Sequence, residues 1–278
     1  AFAKEEAARS FREAQKNDAD CAICYWGEAW AWGSYLNGKM TSAESPRAWA
    51  ALQQARQRAD LFATTREYDL INALSRRYAS SFNEDKRARQ DSAFADAMAA
   101  LHKKYPADLD IATLYADALL ILEPRRGYRD INDPDVRRIH SILEGILSKD
   151  IRHPGACHLY IHSTESTTKP ELALPCAEYI SEGIPGASHI NHMPSHTWNR
   201  TGDWGKSVRA NLKAWHSDQK ATVNKGVAIY PSHNLHMLLF AASMDGQGAI
   251  AMQAGRDYTE LTGNNMYETL TLIRFGRF

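Results

Sequence analysis

Apolar and small residues recur at three- and four-residue spacing through nearly the whole chain, and the alternation that marks a half-buried strand is almost absent. A chain so patterned buries its apolar stripes helix against helix, which confines it to the all-α class. In "EEAARSFREAQK", Ala7, Phe11 and Ala14 fall at i, i+4 and i+7. Thr41-x-x-Glu44 and Thr64-x-x-Glu67 have the capping-box form, in which side chain and backbone satisfy each other at a helix start. "DSAFADAMAALHKKYP" and "DPDVRRIHSILEGILSKD" continue in the same style. The turns "NDAD", "YPADLD", "EGIPGA" and "TGDWG" are short, which predicts antiparallel pairs of helices of about 12–16 residues.

A repeat lies under this pattern. "KNDADCAICYWGEAWAWG", "KYPADLDIATLYADALLI" and "KDIRHPGACHLYIHSTES" share a charged helix end, a turn, then small and aromatic positions. His158 and His162 recur 34 residues later as His192 and His196, and about 34 residues is the period of the tetratricopeptide helix–turn–helix unit. In "TGDWGKSVRANL", Gly202 and Asp203 form the turn and Trp204, Val208 and Leu212 the apolar seam. Gly246 repeats Gly202 after 44 residues, with the excess assigned to a loop in "SDQKATVNKGVAIYPS". Units of this kind bury their faces by stacking on neighbours. The expectation is one α-solenoid domain over 1–278, a superhelical stack of helix pairs with its first helices lining a concave surface. Repeats are degenerate over 1–150 and histidine-rich over 151–278.

Lys+Arg and Asp+Glu both number 33, so no basic excess points to nucleic acid or an anionic surface. No apolar run approaches the roughly 20 residues that span a bilayer. The start at Ala1, without methionine or signal-like segment, reads as a processed or trimmed product, and the compartment stays open. Cys21-x-x-Cys24 sits among small and aromatic residues at helical spacing, and core packing is the reading favoured over a redox or half-metal motif. Cys157 reads as core.

Nine of the eleven histidines fall between His153 and His236. At 100° per residue, His158, His162 and Glu165 lie at about 0°, 40° and 340°, one helix face. His189, His192 and His196 fall within about 60° of one another. The 44-residue offset sets His233 under His189 and His236 under His192. Packed helices lie roughly 8–10 Å apart, close enough for imidazoles from neighbouring helices to meet at one ion. Imidazole suits copper, iron, zinc and nickel. The candidate ligands are therefore His158, His162, His192, His196, His233 and His236, enough for one closed site with spares or for two three-histidine sites. Glu165, the one carboxylate in register with them, is the candidate general base or ligand-orienting group.

Other positions read as structure. His153 precedes Pro154 in a turn and caps. His102, His140 and His216 sit among charged residues and read as solvated. Pro194 either kinks a helix near Ile190, the favoured reading with a helix start near Ala187, or opens a helix at Met193. Tyr160, Trp198, Asn199, Arg200, Tyr230 and Asn234 are candidates to line a groove, although aromatic positions in helical repeats more often pack.

Taken together, "SFREAQKNDADCAICYWGEAWA", "HPGACHLYIH", "HMPSHTWNRTGDW" and "HNLHMLLFAASMDG" resemble a branch of bacterial tetratricopeptide-repeat proteins that combine H-P-G-A-x-H-x-Y-I-H, H-M-P-S-H and a later H-N-x-H. The resemblance spans nearly the whole chain. It implies the superhelical stack and matches His158, His162, His192, His196, His233 and His236 to the family's histidine positions. The chain departs from the pattern at "GASHINH", which introduces His189. It also ends at "RFGRF" where the family pattern continues, so a terminal segment is expected beyond it.

The leading functional expectation is a metalloenzyme on a repeat scaffold, an oxidoreductase using copper or iron. A zinc hydrolase with Glu165 as base follows. The donors are almost all imidazole, and their number is similar to that of coupled dicopper sites. The competing expectations are a non-catalytic scaffold and a structural subunit of a larger assembly. Partners in these readings are a small-molecule or peptide ligand in the concave groove, with no nucleic acid, no membrane span, and oligomer formation left open.

Overall fold

Every regular element in the described residues (3–124, 128–183, 186–223 and 228–277 of the computed structural model) is a helix. One isolated antiparallel bridge joins Tyr35 to Gly38. None of the described helices is long and apolar enough to cross a membrane. Backbone contacts divide the chain into two units, one built from 2–125 with 141–143, the other from 126–140 and 144–278.

The first unit carries α1 (Lys4–Asn17), α2 (Ala22–Ala31), α3 (Ser45–Phe62), α4 (Thr65–Leu74), α5 (Glu84–Lys104) and α6 (Leu109–Leu122). Each packs on the helix next to it in sequence, and α2 also meets α4. Thr64 and Glu67 form the full reciprocal capping box at the start of α4. Thr41 and Glu44 exchange the same bonds, although regular α3 begins only at Ser45, just before Pro46. Phe11 of the expected stripe lies so close over Gly27 that a Cβ there would sit 2.2 Å from its ring, so α1 and α2 meet only because residue 27 has no side chain. Leu52, Ile71, Leu74, Phe94, Met98 and Ile111 fill the core.

Cys21 and Cys24 correct the sequence reading. Cys21 caps α2 and is joined to Cys24 by a disulfide, both residues half-buried rather than in the core. Helix lengths also depart from expectation, from 5 residues to 21.

The second unit includes most of α7 (Pro134–Leu147), all but 141–143. It contains α8 (Pro154–Thr164), a 3-10 turn over Pro170–Ala173, α9 (Leu174–Gly183), α10 (Ser188–His192), α11 (Pro194–Thr201), α12 (Trp204–Val223), α13 (Pro231–Met244), α14 (Gly248–Thr262) and α15 (Met266–Arg274). Gly202 and Gly246 close α11 and α13 in the left-handed region (φ 85° and 73°), where glycine has no Cβ to clash. Val208 sits with Leu235, Leu238 and Leu239 in the core of α12–α14, and Leu212 packs against it. The loop expected at 217–232 is shorter than predicted: α12 continues through Val223, because Asp218 turns inward and holds the Ile229 amide and the Asn234 side chain. Part of that loop, 224–227, and part of the "EGIPGA" turn, 184–185, lie outside the described residues.

Candidate metal centre

Helix α8 is buried from Ala156 to Thr164, polar residues included. Its start is fixed by His153, whose Nδ1 accepts from the Ala156 amide at 3.2 Å, with Pro154 supplying a preset φ in the first turn. Its end is fixed by Arg129, which donates to the His162 carbonyl at 3.0 Å and to Ser166 Oγ at 3.1 Å. His158 and His162 therefore project from a helix clamped at both ends, their ring centroids 5.1 Å apart.

The second pair straddles a break. α10 begins at Ser188 and its N-cap is Ala187; Met193 is helical at the junction, and Pro194 opens α11. Proline has no amide to give the Ile190 carbonyl, so the ladder is interrupted between two helices rather than running on as one. His192 and His196 stay together across the junction, Nε2 to Nε2 at 2.8 Å.

Six imidazoles from four helices converge in two groups: His158, His162 and His189; and His192, His196 and His233. Within each group one nitrogen per residue lies within 4.8 Å of the others. His158 Nε2 faces His189 Nε2 at 3.1 Å, and the His192 and His233 rings meet at 4.7 Å. The groups adjoin: centroids are 5.3 Å apart for His162 and His196, and 5.9 Å for His189 and His192. Bonds of about 2.0–2.1 Å to a tetrahedral ion need nitrogens about 3.3 Å apart, so side-chain shifts of an ångström or so would close either triad on a metal.

Orientation comes from outside the triads. Glu165, at the C-terminal cap of α8, places Oε1 2.9 Å from His162 Nδ1 and Oε2 2.5 Å from His196 Nδ1. Asn211 Oδ1 lies 2.7 Å from His192 Nδ1, and Asn211 is itself held by the Ser207 carbonyl. A carboxylate or amide oxygen only accepts, so each of these contacts calls for a proton on the Nδ1 that faces it and leaves Nε2 as the atom to ligate an ion. The 2.8 Å approach of His192 Nε2 to His196 Nε2 then suits two nitrogens that share an ion rather than two bare lone pairs. Burial favours the neutral acid at Glu165, but His196 and His162 outweigh it and hold the carboxyl well below the usual range. Burial, reinforced by neighbouring histidines, drives His158, His189 and His192 well below the ordinary imidazole pKa, and His233 down to about 4. Neutral imidazole is the form that binds metal.

Of the six ligands read from sequence, five lie in these groups. His236 does not: its half-buried ring stacks on Tyr267 at 4.3 Å. His189 takes part instead, with Tyr230 edge-on to it at 5.5 Å. Asn211 went unread because an asparagine within a helix carries no periodic signal. His140 is a second correction: it is buried and bonds the Ser163 carbonyl at 3.1 Å, since it shares the inward stripe of Val136 and Ile139 while its charged neighbours point out. His102 is half-buried against Tyr115, and His216 is exposed. Among the suggested groove residues, Tyr160 is buried and donates to Glu144, Asn234 is buried on Asp218, Trp198 is buried under Lys206, and Arg200 is exposed. Cys157 and Cys176 are free thiols buried in the core.

No protein-family model matches the chain, and no curated protein is significantly similar to it.

Proposed function

We propose that the chain is a metal-binding protein whose six-histidine cluster holds two ions, one in each triad, and that this cluster is the centre of a metalloenzyme. The observation that carries the reading is the grouping of six imidazoles from four helices into two triads of mutually close nitrogens. Three imidazoles leave a coordination position open, the arrangement of catalytic rather than structural sites. Histidines brought together in the interior, with acceptors facing Nδ1 of His162, His192 and His196, are costly to assemble without an ion to bind.

An oxidoreductase using copper or iron is favoured over a zinc hydrolase. A hydrolase needs a base beside its water, and both oxygens of Glu165, the nearest candidate, already face imidazole. Bound copper or iron would supply electron-transfer chemistry. The residues of the chain supply its ligands and orient them. Burial of His158, His162, His189 and His192 also argues against a scaffold that presents them to a peptide. A small molecule is the better-suited ligand, since His196, His233 and Glu165 are the partly exposed members of the cluster.

The helix stack is read here as tetratricopeptide-like. Support comes from the 34-residue offset between the histidine pairs and from the packing of helices on their sequence neighbours within each unit.

Metal content by inductively coupled plasma mass spectrometry, on protein purified without tag or chelator, tests the function. Close to two ions per chain are expected, lost in the His162→Ala/His196→Ala double variant. Folded protein that carries no metal and takes up none would overturn the reading.

A further inference from the structure

We propose that Glu165 is a shared positioning carboxylate that joins the two histidine triads into one coupled two-ion site. The inference rests on the metal-binding reading and adds to it a dependence of each triad on the same side chain. His162 belongs to one triad and His196 to the other, and a single carboxylate reaches both, Oε1 to His162 Nδ1 at 2.9 Å and Oε2 to His196 Nδ1 at 2.5 Å. Asn211, the other orienting group, serves His192 alone.

The carboxylate is well held. Glu165 caps α8 with its amide on the Ile161 carbonyl at 2.9 Å. On either side of it, Arg129 grips the His162 carbonyl and the Ser166 hydroxyl, while the Arg129 amide donates to the Ser166 carbonyl. Because its two oxygens are rigidly linked, a shift that improves the hydrogen bond to one imidazole moves the acceptor of the other. Loading one triad thereby fixes the ring that the second triad needs, and the second ion meets a site already ordered.

The chemistry of the side chain gives a sharp test. Both oxygens of a carboxylate accept, so both imidazoles can carry Nδ1–H and offer Nε2. In glutamine only the oxygen accepts, and the amide nitrogen turns its hydrogens toward the second imidazole. That ring must then rotate away or move its proton to Nε2, the ligating atom. Glu165→Gln therefore supports one triad and disables the other, whereas Glu165→Ala supports neither.

Metal-free protein would be titrated with Co2+, following visible d–d absorption and calorimetric heat, in the wild type, Glu165→Gln, Glu165→Ala and Asn211→Ala, with helicity monitored by circular dichroism. Two ions bind the wild type in one phase. Glu165→Gln splits the titration, one ion held as before and the other weakened about 10- to 100-fold, the usual penalty for losing an orienting partner. Glu165→Ala weakens both ions, and Asn211→Ala weakens one. A wild type that binds two ions alongside a Glu165→Gln variant indistinguishable from it, or a Glu165→Ala variant that loses only one ion, overturns the coupling and leaves the metal-binding reading standing. A wild type that binds no Co2+ overturns both.

Discussion

Nε2 of His158 and Nε2 of His189 face each other at 3.1 Å, on helices α8 and α10, within one histidine triad. Two neutral imidazoles can meet so only if one donates to the other. An ion inserted between them would take both lone pairs and replace that bond. His189 is thus positioned as a ligand, whereas His236 is engaged with Tyr267. The expected outcome is that His189→Ala lowers metal content from two ions to one, while His236→Ala retains both. Metal analysis of the two variants side by side decides it, and loss confined to His236→Ala would reverse the assignment.

The place of His189, rather than His236, in the histidine groups marks where the sequence ceased to be legible. The helical class followed from apolar spacing, and the pairing of His158 with His162 followed from the helix repeat. The placement of His236 came from a 44-residue offset that treated 217–232 as an insertion loop. Residues 217–223 instead extend α12, so the offset does not carry helix register from α10 to α13. Glu165 was readable because it shares the face of His162. Its reach to His196, and that of Asn211 to His192, are tertiary contacts that no local period encodes.

The histidine cluster gives the metal-free second unit a distinctive pH dependence. Burial holds His158, His189 and His192 neutral well below their ordinary range, and His233 down to about 4. In the unfolded chain each takes up a proton near pH 6.5. The unfolded state then binds more protons, so stability is full above about pH 6.5 and is lost as pH falls toward the folded values. At pH 5.5 the loss is about 1.4 kcal/mol for each histidine that stays neutral. Amide exchange in chelator-treated protein, corrected for intrinsic rates, should show α8 and α13 losing protection between pH 7.5 and 5.5. Unchanged protection would contradict the assigned burial.

Asp117 gives the first unit the opposite slope. Its carboxyl, buried in α6, is pushed up to about 6 by desolvation, with Arg77 opposing and Asp91 reinforcing the shift. A carboxyl raised in the folded state costs nothing below the unfolded pKa near 4, and its cost grows until the folded pKa is passed. At pH 7.5 that cost is about 3 kcal/mol, falling to about half at pH 5. Asp117→Asn is expected to raise protection of α6 amides at pH 7.5 by about 1–3 kcal/mol, with a smaller gain at pH 5. A gain that grows toward low pH would show that Asp117 is ionised and stabilising.

Asp91 is the reverse case, a buried carboxylate the fold depends on. Its Oδ1 accepts from Arg77 Nε at 2.9 Å and from Arg87 Nη2 at 2.8 Å, and its Oδ2 from Ser34 Oγ at 3.1 Å. Arg77 is 1% exposed and also donates to the Ser34 carbonyl, so the cluster ties the end of α2 and the segment after α4 to α5. Removing the carboxylate leaves two guanidinium groups in the interior without their counter-charge, a change that typically costs about 3–5 kcal/mol. Asp91→Ala is expected to lower the urea midpoint of the first unit accordingly. Asp91→Asn keeps an acceptor oxygen but not the charge, and should fall between. Equal midpoints for Asn and Ala would assign the penalty to lost hydrogen bonds alone, and a midpoint unchanged by either would show that the two arginines find other partners or reach water.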